Sequence, residues 1–354
     1  MEPKDFIIKP DSRILVTGGC GFIGKRVIDC LVDYGFTNIA CLTRKSERAI
    51  KNKMFRSDKI KKAQVEVVHG NLLSREDCLR VSKDAQVIYH LAAGRGEKSF
   101  ADAYLNSVVT TRNLIDACIQ QSCIKRFVNV SSLSVYTNQN KQLGKVLDEN
   151  CPIERNPALR HDPYSYAKTK QDEILIEYGK KYSFPYTLVR PGLVYGPGNE
   201  KIHGRVGIGT FGVFLHLGGS NIIPMSYVDN CAEAIALAGI TAGVNGEVFN
   251  VVDDELLSSR RFIVLYKKNV KKFPSIYLPK FLSFFLCLMW EKFYEWSEGQ
   301  LPATFNRKSW YVYWKPTTYS NDKLKMRLGW KQKVSTSEGL RQYFMACREM
   351  EDHA

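Results

Sequence analysis

The chain has 354 residues, 44% of them hydrophobic and 25% charged, which excludes a disordered polymer and allows one large α/β domain or a nucleotide domain with a smaller second lobe. Its formal charge of +15 suits an anionic substrate or a membrane surface, whereas nucleic acid is not an expected partner because no zinc finger, RNA-binding signature or basic-aromatic strand accompanies the charge. The ten cysteines stand singly, with no Cys-x-x-Cys pair, so thiols in a reducing, cytoplasmic compartment are expected, without metal ligands or disulfides.

The first residues, MEPKDFIIKPDSR, carry charges where a signal peptide needs an apolar core. Ile14, Leu15 and Val16 read as a short buried strand, and Lys25 to Tyr34 as a helix with apolar spacing. Between them lies TGGCGFIG, residues 17 to 24. A glycine-rich turn from strand to helix has a physical purpose: Gly18 allows the tight turn, Gly21 lets the backbone approach a pyrophosphate at the helix N-terminus, and Gly24 lets helix and strand pack closely. The loop therefore points to a dinucleotide.

Strand-like runs recur at helix-length intervals, at Asn38 to Leu42, Val65 to Val68, Val87 to His90, Arg126 to Val130 and Tyr186 to Val189. That alternation predicts an α/β, Rossmann-type doubly wound parallel sheet. The expected division is a dinucleotide-binding domain over 1–190, with parts of 226–252 returning to it, and a smaller C-terminal substrate-binding lobe over 191–354. Basic residues are dense at Lys45 to Lys62 and Arg260 to Lys272. Gly198 to Gly219 is glycine-rich and is expected to form a mobile pocket wall. Tyr277 to Trp290 is strongly apolar but interrupted by Lys280, and is too short to span a bilayer, which needs about 20 residues. Two readings of it stay open: a buried lid helix, or peripheral membrane contact and a lipophilic pocket through 267–290, flanked by Lys267, Lys268, Lys271 and Lys272.

A tyrosine followed four residues later by a lysine places phenol and ammonium on one helix face, where the ammonium is expected to pull the phenol below its usual pKa of about 10. Such a tyrosine can trade a proton near neutrality. There are two overlapping pairs, Tyr164 with Lys168 and Tyr166 with Lys170.

TGGCGFIG, then YHLAA (89–93), VSSLSVY (130–136), PYSYAK (163–168), VRPGLVYGPG (189–198), SYVDNCA (226–232), LGW (328–330) and EGL (338–340) occur in order. Together they resemble the extended short-chain dehydrogenase/reductase family, the group containing NAD-dependent epimerases and dehydratases and 3β-hydroxysteroid dehydrogenase-like reductases. The resemblance favours Tyr164 and Lys168 as the active pair and matches Ser132 to the hydroxyl that holds the reacting oxygen. It fits Asn106 to the helix asparagine that supports the lysine through a water. It implies cofactor contacts from Gly18, Gly21, Phe22, Ile23, Gly24, Arg44, Asn71, Leu72 and Ala92, besides Tyr164 and Lys168.

Two departures bear on the cofactor. Thr43 stands where NAD-preferring members hold an acid for the ribose diol, and Arg44 with Lys45 could pair with a 2′-phosphate, so NADP is favoured over NAD. Asn71 replaces the aspartate of the family's Gly-Asp-Leu. The expected activity is hydride transfer between nicotinamide and a secondary alcohol or ketone, on a small-molecule substrate that is lipid-like or a nucleotide sugar. A nucleotide-sugar epimerase or dehydratase with retained cofactor is the alternative. The intact Ser-Tyr-Lys set argues against a third reading, a dinucleotide sensor without turnover. A homodimer and membrane association stay open.

Overall fold

The computed structural model describes residues 6–44, 63, 65–93, 99–139, 146–210, 212–298, 300 and 305–352. Strand Ile14–Thr17 (β1) buries all its residues, as an unbroken apolar run must in a sheet covered on both faces. Ile39–Thr43 (β2), Val87–His90 (β4), Arg126–Val130 (β5) and Tyr186–Pro191 (β6) do the same. Glu66–His69 (β3) is the partly exposed edge, and Val248–Val251 (β7) closes the other side. The seven strands run in the order β3-β2-β1-β4-β5-β6-β7, every neighbour parallel. All six strands read from the sequence are present, and the seventh comes from the stretch 226–252.

Helices cover both faces. Alternate residues of β1 point opposite ways: Ile14 and Val16 join a core with Val27, Ile28 and Leu31 of Phe22–Asp33 (α1), while Leu15 joins the core on the other side. That second core takes Cys78 and Val81 of Arg75–Ser82 (α2), Leu114 and Ile115 of the next helix, and Ile174 and Leu175 of Pro163–Tyr182 (α4). The intervening rod (α3) is α-helical over Phe100–Ala103, π-helical over Tyr104–Val109 and α-helical again over Thr110–Ile119. Val228–Ile240 (α5) packs beside α1, its Ile235 in the first core.

A buried polar chain ties α3 and α4 to the sheet. The Thr17 hydroxyl lies 2.8 Å from His90 Nδ1, His90 Nε2 lies 2.9 Å from the Thr111 hydroxyl, and Gln171 Nε2 donates to that hydroxyl at 2.6 Å. Burial pushes His90 down to about 3, so the ring is neutral and acts as a hydrogen-bonding strut. Nearby, Arg190 of β6 donates to Asp172 Oδ2 of α4 through Nε at 3.0 Å and Nη2 at 2.9 Å, and its guanidinium lies 4.7 Å from the Tyr136 ring centre.

The C-terminal part differs from one expectation. Within the glycine-rich stretch, Gly207–Thr210 and Val213–His216 form an antiparallel hairpin, extended by the parallel strand Ser275–Tyr277, and Ile208 and Leu215 of this small sheet line a pocket. Ser259–Asn269 (α6) leads through that strand to Lys280–Trp296 (α7). The buried-lid reading of α7 fails, because only Ser283 and Cys287 are buried. One face of α7 rests on Arg307–Tyr313 (α8), with Trp310 Nε1 donating to Ser283 Oγ at 2.9 Å, and much of the remainder is solvent-facing. Among the described residues, no helix is long and apolar enough to cross a membrane. None of the ten cysteines, all among the described residues, forms a disulfide. The basic stretch Lys45 to Lys62 lies outside the described residues.

Candidate active site

The strand order reverses between β1 and β4, and a crevice forms at the carboxyl ends of strands where an open α/β sheet reverses. Two adjoining clefts occupy that place. One, of about 390 Å³, is lined by Arg44, Asn71, Leu72, Ala92 and Asn106 among others. The other, of about 250 Å³, is lined by Phe22, Ile23, Gly24, Tyr164 and Lys168, with Ser131, Pro191 and Gly192. Gly18 and Gly21 line both, so the glycine loop sits at their junction.

Two glycines answer to geometry. Gly18 has φ +71°, and a Cβ there would lie 2.8 Å from the Ala92 backbone nitrogen. A Cβ on Gly24 would meet the Gly18 carbonyl oxygen at 2.3 Å, so α1 rests directly on the loop. Gly21 caps α1 without a side chain, whereas Ser74 and Asp162 cap α2 and α4. The first N–H groups of α1 are thus not claimed by a capping side chain, as an anion site at a helix N-terminus requires.

At the far end stand Ser132, Tyr164 and Lys168, the residues expected to handle the proton. Ser132 accepts from the Ser134 backbone N–H at 3.1 Å and its hydroxyl pairs with the Tyr164 phenol. Tyr164 keeps 36% of its surface open, facing the second cleft. Lys168 Nζ, buried, donates to the Val130 carbonyl at 2.7 Å. Burial pushes Lys168 down to about 8, with Asp172 pulling it back up. Tyr164 departs from the expected lowering: its pKa is raised, chiefly by burial, with the Ser132 hydrogen bond lowering and Asp162 raising it. Desolvation outweighs any help from Lys168, whose ammonium is turned to the Val130 carbonyl.

The second pair does not reach the cleft. Two residues along a helix is about 200° of rotation; the Tyr166 ring meets Phe100 edge-on at 5.4 Å and Lys170 pairs with Glu173 at 2.6 Å. Asn106 also sits elsewhere than expected. Within the π turn its Nδ2 donates to Asp102 Oδ1 at 2.9 Å, and its Oδ1 accepts from Arg44 at 3.4 Å. It lines the cleft at its Arg44 end. Asn71 uses its side chain locally, accepting from the Leu73 N–H at 3.1 Å. Lys45 lies outside the described residues.

Pro191 and Gly192 of the VRPG stretch form cleft wall and Asp172 acts on Lys168, three residues that are not among the expected site residues. The signal for Asp172 was an acid one helical turn beyond Lys168, on the same face.

The match to known proteins is consistent with this geometry. Residues 14–251 match the model of the NAD dependent epimerase/dehydratase family. The chain belongs to that family. A trifunctional UDP-glucose 4,6-dehydratase/UDP-4-keto-6-deoxy-D-glucose 3,5-epimerase/UDP-4-keto-L-rhamnose-reductase of Arabidopsis thaliana is 27% identical over 70% of this chain, which spans 38% of that protein's length. The 3beta-hydroxysteroid-dehydrogenase/decarboxylase isoform 1 of the same plant is 25% identical over 95% of this chain and 79% of its own. In fold, the chain resembles UDP-glucuronic acid 4-epimerase from Bacillus cereus, crystallised with UDP-glucuronic acid and NAD, at TM-score 0.69 and 19% identity over 96% of this chain and 99% of that one. The protein is an enzyme of the extended short-chain dehydrogenase/reductase group, an oxidoreductase or epimerase/dehydratase. The residues present fit a dinucleotide: the α1 N-terminus without a capping side chain, and the glycine loop whose close backbone packing admits no Cβ at Gly18 or Gly24, lie at the junction of the cleft at Arg44 and the cleft at Tyr164.

Proposed function

We propose that this member of the family catalyses net hydride transfer between a nicotinamide dinucleotide and a secondary alcohol or ketone of lipid-like character. The observation that carries the chemistry is the convergence of Ser132, Tyr164 and Lys168 beside the glycine loop. Bound across the cleft, the dinucleotide would supply the hydride acceptor or donor. The chain's own residues handle the proton. Ser132 and Tyr164 hydroxyls converge on the substrate oxygen; Tyr164 gives its proton to the developing alkoxide in reduction, or takes it from the alcohol in oxidation. Lys168, four residues along the same helix with its ammonium on the Val130 carbonyl, would keep a positive charge near the site as phenolate forms.

The lipid-like substrate class rests on two supports. The steroid dehydrogenase relative aligns over nearly the whole chain and the sugar-nucleotide relative over less of it. An apolar cavity of about 180 Å³, lined by Leu217, Leu278, Trp290 and Trp314 among others, also lies in the C-terminal part. Beside Trp314, the Tyr313 hydroxyl donates to Asp162 Oδ2 at 3.1 Å, and Asp162 caps the helix that carries Tyr164. The cavity is thus linked to the catalytic helix through two residues. The competing reading, a nucleotide-sugar epimerase or dehydratase, draws on the family model and the fold neighbour. Absorbance at the reduced nicotinamide band separates the two readings. The oxidoreductase consumes one added cofactor per ketone reduced; an epimerase retains its cofactor and consumes none.

NADP is the proposed cofactor. Thr43 puts no carboxylate at the end of β2, and the Arg44 guanidinium stands on the cleft wall. Arg44→Ala is expected to weaken NADPH binding by about 1.5–3 kcal/mol, the value of a hydrogen bond to a charged group, and NADH binding far less. Fluorescence titration of both cofactors checks this; equal losses would refute the preference.

A further inference from the structure

We infer that the outer face of α7 seats the protein on an anionic lipid bilayer. This inference concerns where the enzyme works and stands whichever reaction it catalyses. Six apolar side chains of α7 are exposed: Phe281, Phe285, Leu286, Met289, Phe293 and Trp296, with Phe281 at 78% and Trp296 at 77%. At 100° per residue they fall on one arc of about 140°. The Phe293 and Trp296 rings stack at 5.6 Å and 18°, which joins the end of the arc into a flat aromatic surface. An exposed apolar stripe of this kind marks an interaction site on a soluble protein.

The helix cannot bury that stripe by rolling inward, because its other face is already committed. Trp310 donates to Ser283, the Phe284 ring meets Trp310 at 5.1 Å, and Arg307 holds Glu291 through Nε at 2.9 Å and Nη2 at 3.1 Å. The 17 residues of α7 are too few to span a bilayer but suit a helix lying in the interface plane, apolar face down.

Charge complementarity selects the partner. From Arg260 to Lys280, the segment leading into α7 carries seven cations (Arg260, Arg261, Lys267, Lys268, Lys271, Lys272 and Lys280) and no acid. The strand between α6 and α7 is exposed throughout, including Ile276 and Tyr277. An apolar stripe reached through a run of cations is complementary to lipid with acidic headgroups; a second copy of the same face would bring like charges together. Acids do lie nearby: Glu295 pairs with Lys292 and Glu351 with Lys271, and neither cancels the remaining excess. The Tyr294 ring of α7 lies 5.0 Å from that of His161, next to Asp162 at the start of the catalytic helix. The docking helix therefore touches the loop that delivers Tyr164.

The experiment is co-sedimentation of the purified chain with vesicles of phosphatidylcholine alone and of phosphatidylcholine mixed with phosphatidylglycerol. The protein is expected to pellet with the mixed vesicles, less so as salt is raised, and to remain in solution with phosphatidylcholine. The triple variant Phe281→Ser/Phe285→Ser/Trp296→Ser should lose at least about 100-fold in partitioning, since three large apolar groups no longer enter the lipid, while melting temperature and cofactor binding stay as in the parent. Should that variant fold poorly, brominated lipid in the mixed vesicles tests the unaltered chain: its tryptophan fluorescence should be quenched, and Trp296→Phe should remove most of the quenched component. Wild-type protein left in solution by anionic vesicles, a folded triple variant that pellets undiminished, or a light-scattering dimer that the triple variant converts to monomer would each overturn the inference.

Discussion

Tyr164→Phe is expected to lower turnover by about 100-fold or more, the scale of a lost general acid-base group, while leaving cofactor affinity nearly unchanged. The substitution removes one hydroxyl, the group that pairs with Ser132, and keeps the ring that lines the cleft beside Lys168. Tyr166→Phe is the internal control. Its ring packs on Phe100, a contact that phenylalanine preserves, so its turnover should stay within a few-fold of the parent. Steady-state kinetics of the two variants, with cofactor titration alongside, checks both. Full activity in Tyr164→Phe with an inactive Tyr166→Phe would transfer the acid-base role to the second pair and to Lys170.

The second large effect concerns a residue outside the reacting group. Asp172→Ala should cost about 3–5 kcal/mol of folding stability, because it leaves the Arg190 guanidinium buried and unpaired. Asp172 is the carboxylate that Arg190 holds, through Nε and Nη2 on Oδ2, while the guanidinium also lies against Tyr136. Urea unfolding measures the loss; the double variant Asp172→Leu/Arg190→Met should recover much of it, since apolar groups replace both charges.

The same variant moves a pH profile. Lys168 is depressed from 10.5 to about 8 by burial, against Asp172, which raises it. Between those two values the unfolded chain holds a proton that the native chain has released. Stability from this group therefore rises with pH from about 8 to about 10.5, and below about 8 the cost of the buried ammonium is paid in full. If the protein reduces ketones as proposed, turnover is expected to show the opposite trend, falling as pH rises through about 8 and Lys168 loses its charge. Without Asp172 that descending limb should shift to lower pH, whereas a purely structural role would lower stability and leave the limb in place.

The central sheet was legible in the sequence because apolar-rich runs recur at helix-length intervals from Ile14 to Val189, most of them strands buried on both faces. The glycine loop was legible because Gly18 and Gly24 answer to backbone distances that no other residue satisfies. Asn106 was not: its place depends on the π turn Tyr104–Val109, which rotates the side chain toward Arg44, and residue spacing carries no sign of such a turn. The raised pKa of Tyr164 was equally hidden, since it comes chiefly from desolvation in the folded chain, which residue spacing does not report. For α7, composition announced an apolar helix, but which face is covered depends on α8, whose Trp310 and Arg307 claim one side and leave the phenylalanines outside.

Deuterium tracing shows whether hydride leaves or enters an exchangeable cofactor at the Tyr164 end of the cleft, as proposed. The enzyme is supplied with NADPH deuterated at the transferring nicotinamide position, together with a panel of lipophilic ketones and UDP-sugars, and products are read by mass spectrometry. One deuterium is expected in each alcohol formed from a ketone, in proportion to NADPH oxidised, and almost none with Tyr164→Phe. Conversion of a UDP-sugar with no deuterium incorporated and no NADPH oxidised would contradict this expectation and make the protein an epimerase or dehydratase that returns the substrate's own hydride.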